Sequence, residues 1–212
     1  MSDPWGLEGA TVAITGASTG IGAALTDAFL DSGAIVLGIS RSPDKHPTTS
    51  PNYRTYAADL SVRSETEALI DTLKADHERI DVLINNAGHA LRAPSVDYPM
   101  DDWDRLIELN LTAPFLLSRG LAPPMLQRGA GKVIFTASLW SFLGGRSVPA
   151  YTVTKSGIAG MIRALSNEWA PQGVQVNGSA PGYTGTDLTR PASNDPETGP
   201  APHSLIPAGR LG

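Results

Sequence analysis

The sequence predicts an α/β domain built on a doubly wound parallel sheet. Short β-branched runs alternate with longer runs of helical periodicity, and a glycine cluster marks the first strand-to-helix junction. A length of 212 residues suits one domain over 1–212 better than two. Right-handed crossovers between the strands favour helices on both faces and the strand order 3-2-1-4-5-6.

The first strand is read at 11–15, T-V-A-I-T, and the helix after it at 21–31. The run A-I-V-L-G-I-S gives a second strand at 34–40, and Y-R-T-Y-A gives a third at 53–57. A helix follows at 65–78, behind a Ser64/Glu67 pair spaced as a capping box. A fourth strand at 81–85 leads to a helix at 101–117, and K-V-I-F-T makes the fifth strand at 132–136. The last helix, 151–170, precedes a sixth strand at 174–179. Five of the seventeen prolines (Pro191, Pro196, Pro200, Pro202 and Pro207) then fall in the last 22 residues. The segment 186–208 is therefore either a lid over a substrate pocket or a loose C-terminal segment.

Bulk composition narrows the function. Net charge is −5, and the sixteen Lys and Arg form no basic tract, which argues against a nucleic-acid partner. With no cysteine and four dispersed histidines, neither a thiolate metal site nor a histidine cluster is indicated. No apolar run reaches membrane-spanning length and no leader pattern opens the chain, so a cytoplasmic protein acting on a small molecule is the expectation.

The run V-A-I-T-G-A-S-T-G-I-G places Gly16, Gly20 and Gly22 between the first strand and the first helix. Glycines there permit a tight turn and close backbone approach, and the amides opening the helix offer a partly positive terminus to a pyrophosphate. At the tip of the second strand, where an acid would bind the ribose diol of NAD, stand Ser40 and Arg41. A hydroxyl and a cation suit a 2′-phosphate better, which favours NADP(H) over NAD(H). Asp59, after the third strand, is a candidate for the adenine amino group or for a helix cap, and both readings stand. Asn85, Asn86, Ala87 and Gly88 stand at the carboxyl end of the fourth strand, where ligands bind in open α/β sheets and small side chains leave room for a ring.

Tyr151 and Lys155 are four residues apart on one helix face, and Ser138 follows the fifth strand at the carboxyl edge of the sheet. A free phenol has a pKa near ~10, and a nearby ammonium favours its ionised form. Tyr151 is thus a candidate acid/base, Lys155 its activator, and Ser138 the hydroxyl that holds a substrate oxygen. Because Pro114 has no N–H, the carbonyl of Asn110 loses its helical partner and is a candidate to hold a relay water.

T-G-A-S-T-G-I-G, Asp59-Leu60, N-N-A-G, Asn110, Ser138, Y-T-V-T-K and Pro181-Gly182, in this order, make the chain resemble the short-chain dehydrogenases/reductases from 11 to 182. The resemblance implies a Rossmann fold and a catalytic set of Asn110, Ser138, Tyr151 and Lys155. It implies that Ser18, Thr19 and Ile21 lie around the cofactor ribose and phosphates, and that Thr184 and Thr186 reach the nicotinamide. Family members usually carry Val, Ile or Met where this chain has Thr184, and continue past a segment like I-P-A-G-R-L-G to another helix and a seventh strand. The sixth strand is accordingly expected at a sheet edge. A homo-oligomer, dimer or tetramer, is implied as well.

The stretch A-S-L-W-S-F-L-G-G resembles the branch acting on gluconate-type sugar acids, with 3-oxoacyl-carrier-protein reductases close by. Trp140 and Tyr183 are the substrate-side candidates. The expected activity is hydride transfer between nicotinamide and a secondary alcohol or ketone. The alternative is a catalytically idle dinucleotide-binding sensor.

Overall fold

Six strands form one all-parallel sheet in the computed structural model: β1 (Thr11–Thr15), β2 (Ile35–Ser40), β3 (Tyr53–Ala57), β4 (Val82–Asn85), β5 (Gly131–Thr136) and β6 (Val174–Ser179). Their order is β3-β2-β1-β4-β5-β6, as expected, and β6 lies at an edge among the described residues. The structure describes residues 6–46, 48–186 and 206–212. Expected and observed strand bounds agree to within one residue, because each strand is bracketed by turn or helix signals.

Side-chain alternation along the strands separates two apolar layers. Val12, Ile14, Val36, Val82 and Ile84 face helix α1 (Gly20–Asp31), meeting its Leu25 and Phe29. Ala13, Leu37, Leu83, Val133 and Phe135 point the other way. They pack with Leu73 of α2 (Arg63–Asp76), Leu117 and Met125 of α4 (Ala113–Arg128), and Ile158 and Leu165 of α5 (Pro149–Trp169). After β3 the chain returns to place β4 on the far side of β1. The carboxyl ends of β1 and β4 thus flank the crevice where such sheets bind ligands.

The expected helix at 101–117 is corrected. Helix α3 (Met100–Ile107) passes into a π-helical turn (Glu108–Thr112), in which the Ala113 amide reaches back five residues to the Glu108 carbonyl. Pro114 sits just beyond, and widening the helix by one residue accommodates its missing donor. Helix α4 then runs eleven residues past the expected end and contains Pro123 and Pro124. Each proline costs about 3 kcal/mol in a helix interior. The neighbouring Leu121, Ala122 and Met125 are buried against the sheet, and packing of that kind offsets the cost.

The Ser64/Glu67 capping box is also corrected. Helix α2 starts at Arg63 with Val62 as its N-cap, and no side chain caps it. Glu65 instead accepts from the Asp59 amide at 2.7 Å, which ties the helix to the loop after β3. Among the described residues, no helix is long and apolar enough to cross a membrane, and no cluster of ligating side chains could hold a metal.

Candidate active site

Two clefts of about 210 and 200 Å³ cross the carboxyl ends of the strands, sharing Gly16, Thr19, Ala87 and Gly88, so they form one trough. Its inner end is lined by Gly20, Ile21, Asn86, Ser138, Tyr151, Lys155, Pro181, Gly182, Thr184 and Thr186. Ser18, Ser40, Arg41, Asp59 and Leu60 line the outer end. Asn85 is buried away from the trough, donating to Ser118 Oγ at 3.0 Å, and Gly22 does not line the trough either. A Cβ there would run into the Gly16 carbonyl and lie 2.7 Å from the Asn86 amide nitrogen, so Gly22 lets the turn and helix close. Gly16 has φ +68, and a Cβ on it would lie 3.0 Å from the Ala87 Cα.

Thr15, which sequence reasoning missed, knits the two central loops together. Its hydroxyl accepts from the amides of Asn86 and Ala87, both at 2.9 Å, and the Asn86 side chain donates to the Thr15 carbonyl at 3.1 Å. Lys45 and His89 also join the outer end unpredicted. Lys45 enters because a short 3₁₀ turn (Pro43–Lys45) bends the chain back after β2, which strand pattern does not reveal. Asp59 does not cap α2. Its carboxylate accepts from the Ser61 amide and hydroxyl at 2.9 and 2.6 Å. Burial raises its pKa, but the Ser61 bonds and the charges of Arg41 and Arg105 outweigh that and hold it below the ordinary carboxylate value.

Asn110 is buried and lies behind the trough rather than in it. Its carboxamide clamps both backbone groups of His89, accepting from the amide at 3.0 Å and donating to the carbonyl at 2.8 Å. The same nitrogen donates to Thr154 Oγ1 at 3.3 Å, and Thr154 donates to the Tyr151 carbonyl at 2.9 Å. A single side chain thereby sets the loop after β4 relative to the helix that carries Tyr151.

Lys155 is buried, with Nζ donating to the Thr136 carbonyl at 2.6 Å. Burial pushes its pKa down to about 8. Nζ lies 5.6 Å from the centre of the Tyr151 ring. The expectation that Lys155 depresses the phenol is corrected for this arrangement. Burial raises the Tyr151 pKa, and the Ser138 hydroxyl beside it works in the opposite direction. Strand and helix spacing brought Ser138, Tyr151 and Lys155 together; the carbonyl that takes up the ammonium only the folded sheet supplies.

Trp140 and Tyr183 line a separate cleft of about 660 Å³, which shares Gly182 and Thr184 with the trough and so continues from it. Its far wall is the segment 206–212, tethered to the loop after β6 by bonds from the Gly212 amide to Tyr183 and from the Gly185 amide to Gly212, both 3.0 Å. Most of the expected lid, 187–205, lies outside the described residues.

A family model for the short chain dehydrogenases matches residues 10–197. The chain belongs to the short-chain dehydrogenase family. This short-chain dehydrogenase is 40% identical to a 2-dehydro-3-deoxy-D-gluconate 5-dehydrogenase of Pseudoalteromonas atlantica, over 100% of this chain and 87% of that one. A crystal structure from Beutenbergia cavernae, assigned as an NAD(P)-dependent gluconate 5-dehydrogenase and holding NADP, superposes with a TM-score of 0.91. It is 37% identical, over 98% of this chain and 86% of that one. A gluconate 5-dehydrogenase of Burkholderia cenocepacia in complex with NADP and tartrate gives a TM-score of 0.88 at 32% identity, over 97% and 83% of the two chains. As a member of this family the protein is an NAD(P)-dependent oxidoreductase acting on CH–OH groups. The glycine turn, whose backbone a Cβ would obstruct, fits such a dinucleotide.

Proposed function

We propose that this short-chain dehydrogenase exchanges a hydride between NADP(H) and the secondary alcohol or ketone carbon of a sugar acid. The observation that carries the reading is the convergence of Ser138, Tyr151 and Lys155 at the inner end of a trough that the glycine turn also lines. The nicotinamide, when bound, supplies or accepts the hydride. Tyr151 moves the proton at the substrate oxygen, and Ser138 holds that oxygen beside the phenol. Lys155, with a pKa of about 8, stays mostly charged at neutral pH, and the Thr136 carbonyl holds its ammonium on the side of the trough that carries Tyr151. Arg41 and Lys45, both on the outer cleft beside Ser40, supply positive charge suited to a 2′-phosphate, which supports NADP(H) over NAD(H).

The sugar-acid reading rests on the gluconate-type relatives and on Arg210, the one cation among the described residues lining the 660 Å³ cleft, where a guanidinium can pair a substrate carboxylate. The remaining walls, with Leu139, Leu143, Ile206 and Leu211, are apolar and favour a second reading, a 3-oxoacyl-type ketoreductase.

The test is a panel of keto sugar acids, neutral keto sugars and a 3-oxoacyl thioester, reduced with NADPH and with NADH and controlled by Tyr151→Phe. Turnover of keto sugar acids, NADPH preferred and lost in Tyr151→Phe, is expected. Turnover of the thioester alone refutes the substrate class. Tight NADPH binding with no turnover of any compound refutes the enzyme.

A further inference from the structure

The 3₁₀ turn Leu139–Ser141 joins the β5 loop to the catalytic helix by hydrogen bonds that no part of the chemistry requires. Ser141 Oγ accepts from the Ser138 amide at 3.2 Å and donates to the Lys155 carbonyl at 2.7 Å. A single hydroxyl thus bridges the backbone of Ser138 to that of Lys155, one helical turn beyond Tyr151. Nearby, Ser156 Oγ donates to the Trp140 carbonyl at 3.3 Å, which fastens the same turn to α5 a second time. Ser138 Oγ also accepts from the Trp140 amide at 3.3 Å, so the turn sets the rotamer of the hydroxyl as well as the position of its backbone.

Besides that bridge, Ser138 and Tyr151 are related through the Lys155–Thr136 and Ser156–Trp140 bonds and through sheet-to-helix packing, since one sits past the end of β5 and the other in the first turn of α5. Apolar packing is not directional, whereas a hydroxyl that accepts from one backbone and donates to the other sets both distance and angle. Misplacing a catalytic group by about 1 Å can cost on the order of 100-fold in rate.

We propose that Ser141 is a positioning residue that acts through Ser138, holding its hydroxyl in register with Tyr151 by tying the two backbones together. This rests on the role of Ser138 given above. It assigns Ser141 no contact with substrate or cofactor.

A double-mutant cycle in the full chain tests it, with kcat, KM for the ketone, NADPH affinity and thermal midpoint measured for Ser141→Ala, Ser138→Ala and the double variant. The expected result is a fall in kcat of about 10- to 100-fold for Ser141→Ala with NADPH affinity unchanged, and no further fall in the Ser138→Ala background. Ser141→Thr, which keeps the hydroxyl, restores kcat, and Ser141→Val, of similar shape, does not. An equal loss from Ser141→Ala in both backgrounds, or a wild-type kcat for Ser141→Val, overturns the proposal. Full activity of Ser138→Ala itself overturns the earlier reading of Ser138, and this inference with it.

Discussion

Replacing Lys155 with Met should stabilise this protein at neutral pH while disabling it. The folded chain holds the ammonium at a pKa of about 8, against an ordinary value of 10.5, and burial is the cause. A gap of that size corresponds to about 3 kcal/mol of penalty on the charged form. Between these two pKa values the unfolded chain binds a proton that the folded chain does not, so stability rises with pH across that window, and the penalty is complete below it. At pH ~7 the wild type therefore bears about 3 kcal/mol, falling to about 1 kcal/mol at pH ~9.5. Methionine fills a similar volume without charge. It forfeits the 2.6 Å bond to the Thr136 carbonyl, worth about 1 kcal/mol. The variant should then be about 2 kcal/mol more stable than wild type at pH ~7, or about 4–8 °C in thermal midpoint, and equal to it near pH ~9.5. Paired thermal or urea melts at both pH values measure this, because titrations common to the two proteins cancel. Activity should fall at least about 100-fold. A stability difference that does not change with pH, or grows as pH rises, refutes the reasoning.

Gly22→Ala should lose about 2 kcal/mol and weaken NADPH binding, because its Cβ meets the Gly16 backbone and a hydrogen-bonded Asn86; wild-type melts and NADPH titrations would show otherwise. Asn110→Leu should lower the thermal midpoint and reduce kcat at least about 10-fold, since it leaves both backbone groups of His89 and the Thr154 hydroxyl without their partner. Steady-state kinetics beside a melt check both effects. Arg41→Ser combined with Lys45→Ser should weaken NADPH binding about 100-fold and leave NADH binding unchanged, measured by fluorescence titration. An equal loss for the two dinucleotides would remove the 2′-phosphate assignment.

The parallel sheet was legible because its strands are short β-branched runs with clear stops, so even the expected order of β3 to β6 was met. Tyr151 and Lys155 were legible for a different reason: helical periodicity alone puts them on one face. Legibility failed where long-range burial outweighed local preference. The helix was expected to end at 117, yet α4 continues to Arg128 through Pro123 and Pro124 because Leu121 and Met125 have a sheet to pack on. Ser64 and Glu67 had the spacing of a cap, but Glu65 found the Asp59 amide and the helix began earlier. Lys45 and Ser141 carry no motif, and each acquires its place from how a short turn folds back.

The sequence alone determined which chemical groups the site contains: a glycine turn, a cation after β2, a phenol, an ammonium and a hydroxyl at spacings fixed by strand and helix geometry. Only the tertiary structure decided their electrostatic state and the hydrogen bonds that hold them. Burial left the phenol raised and the ammonium lowered, and placed Asn110 behind the trough as a clamp. Spacing along a chain is local, whereas desolvation and hydrogen bonding between distant residues exist only once the sheet and its helices have closed.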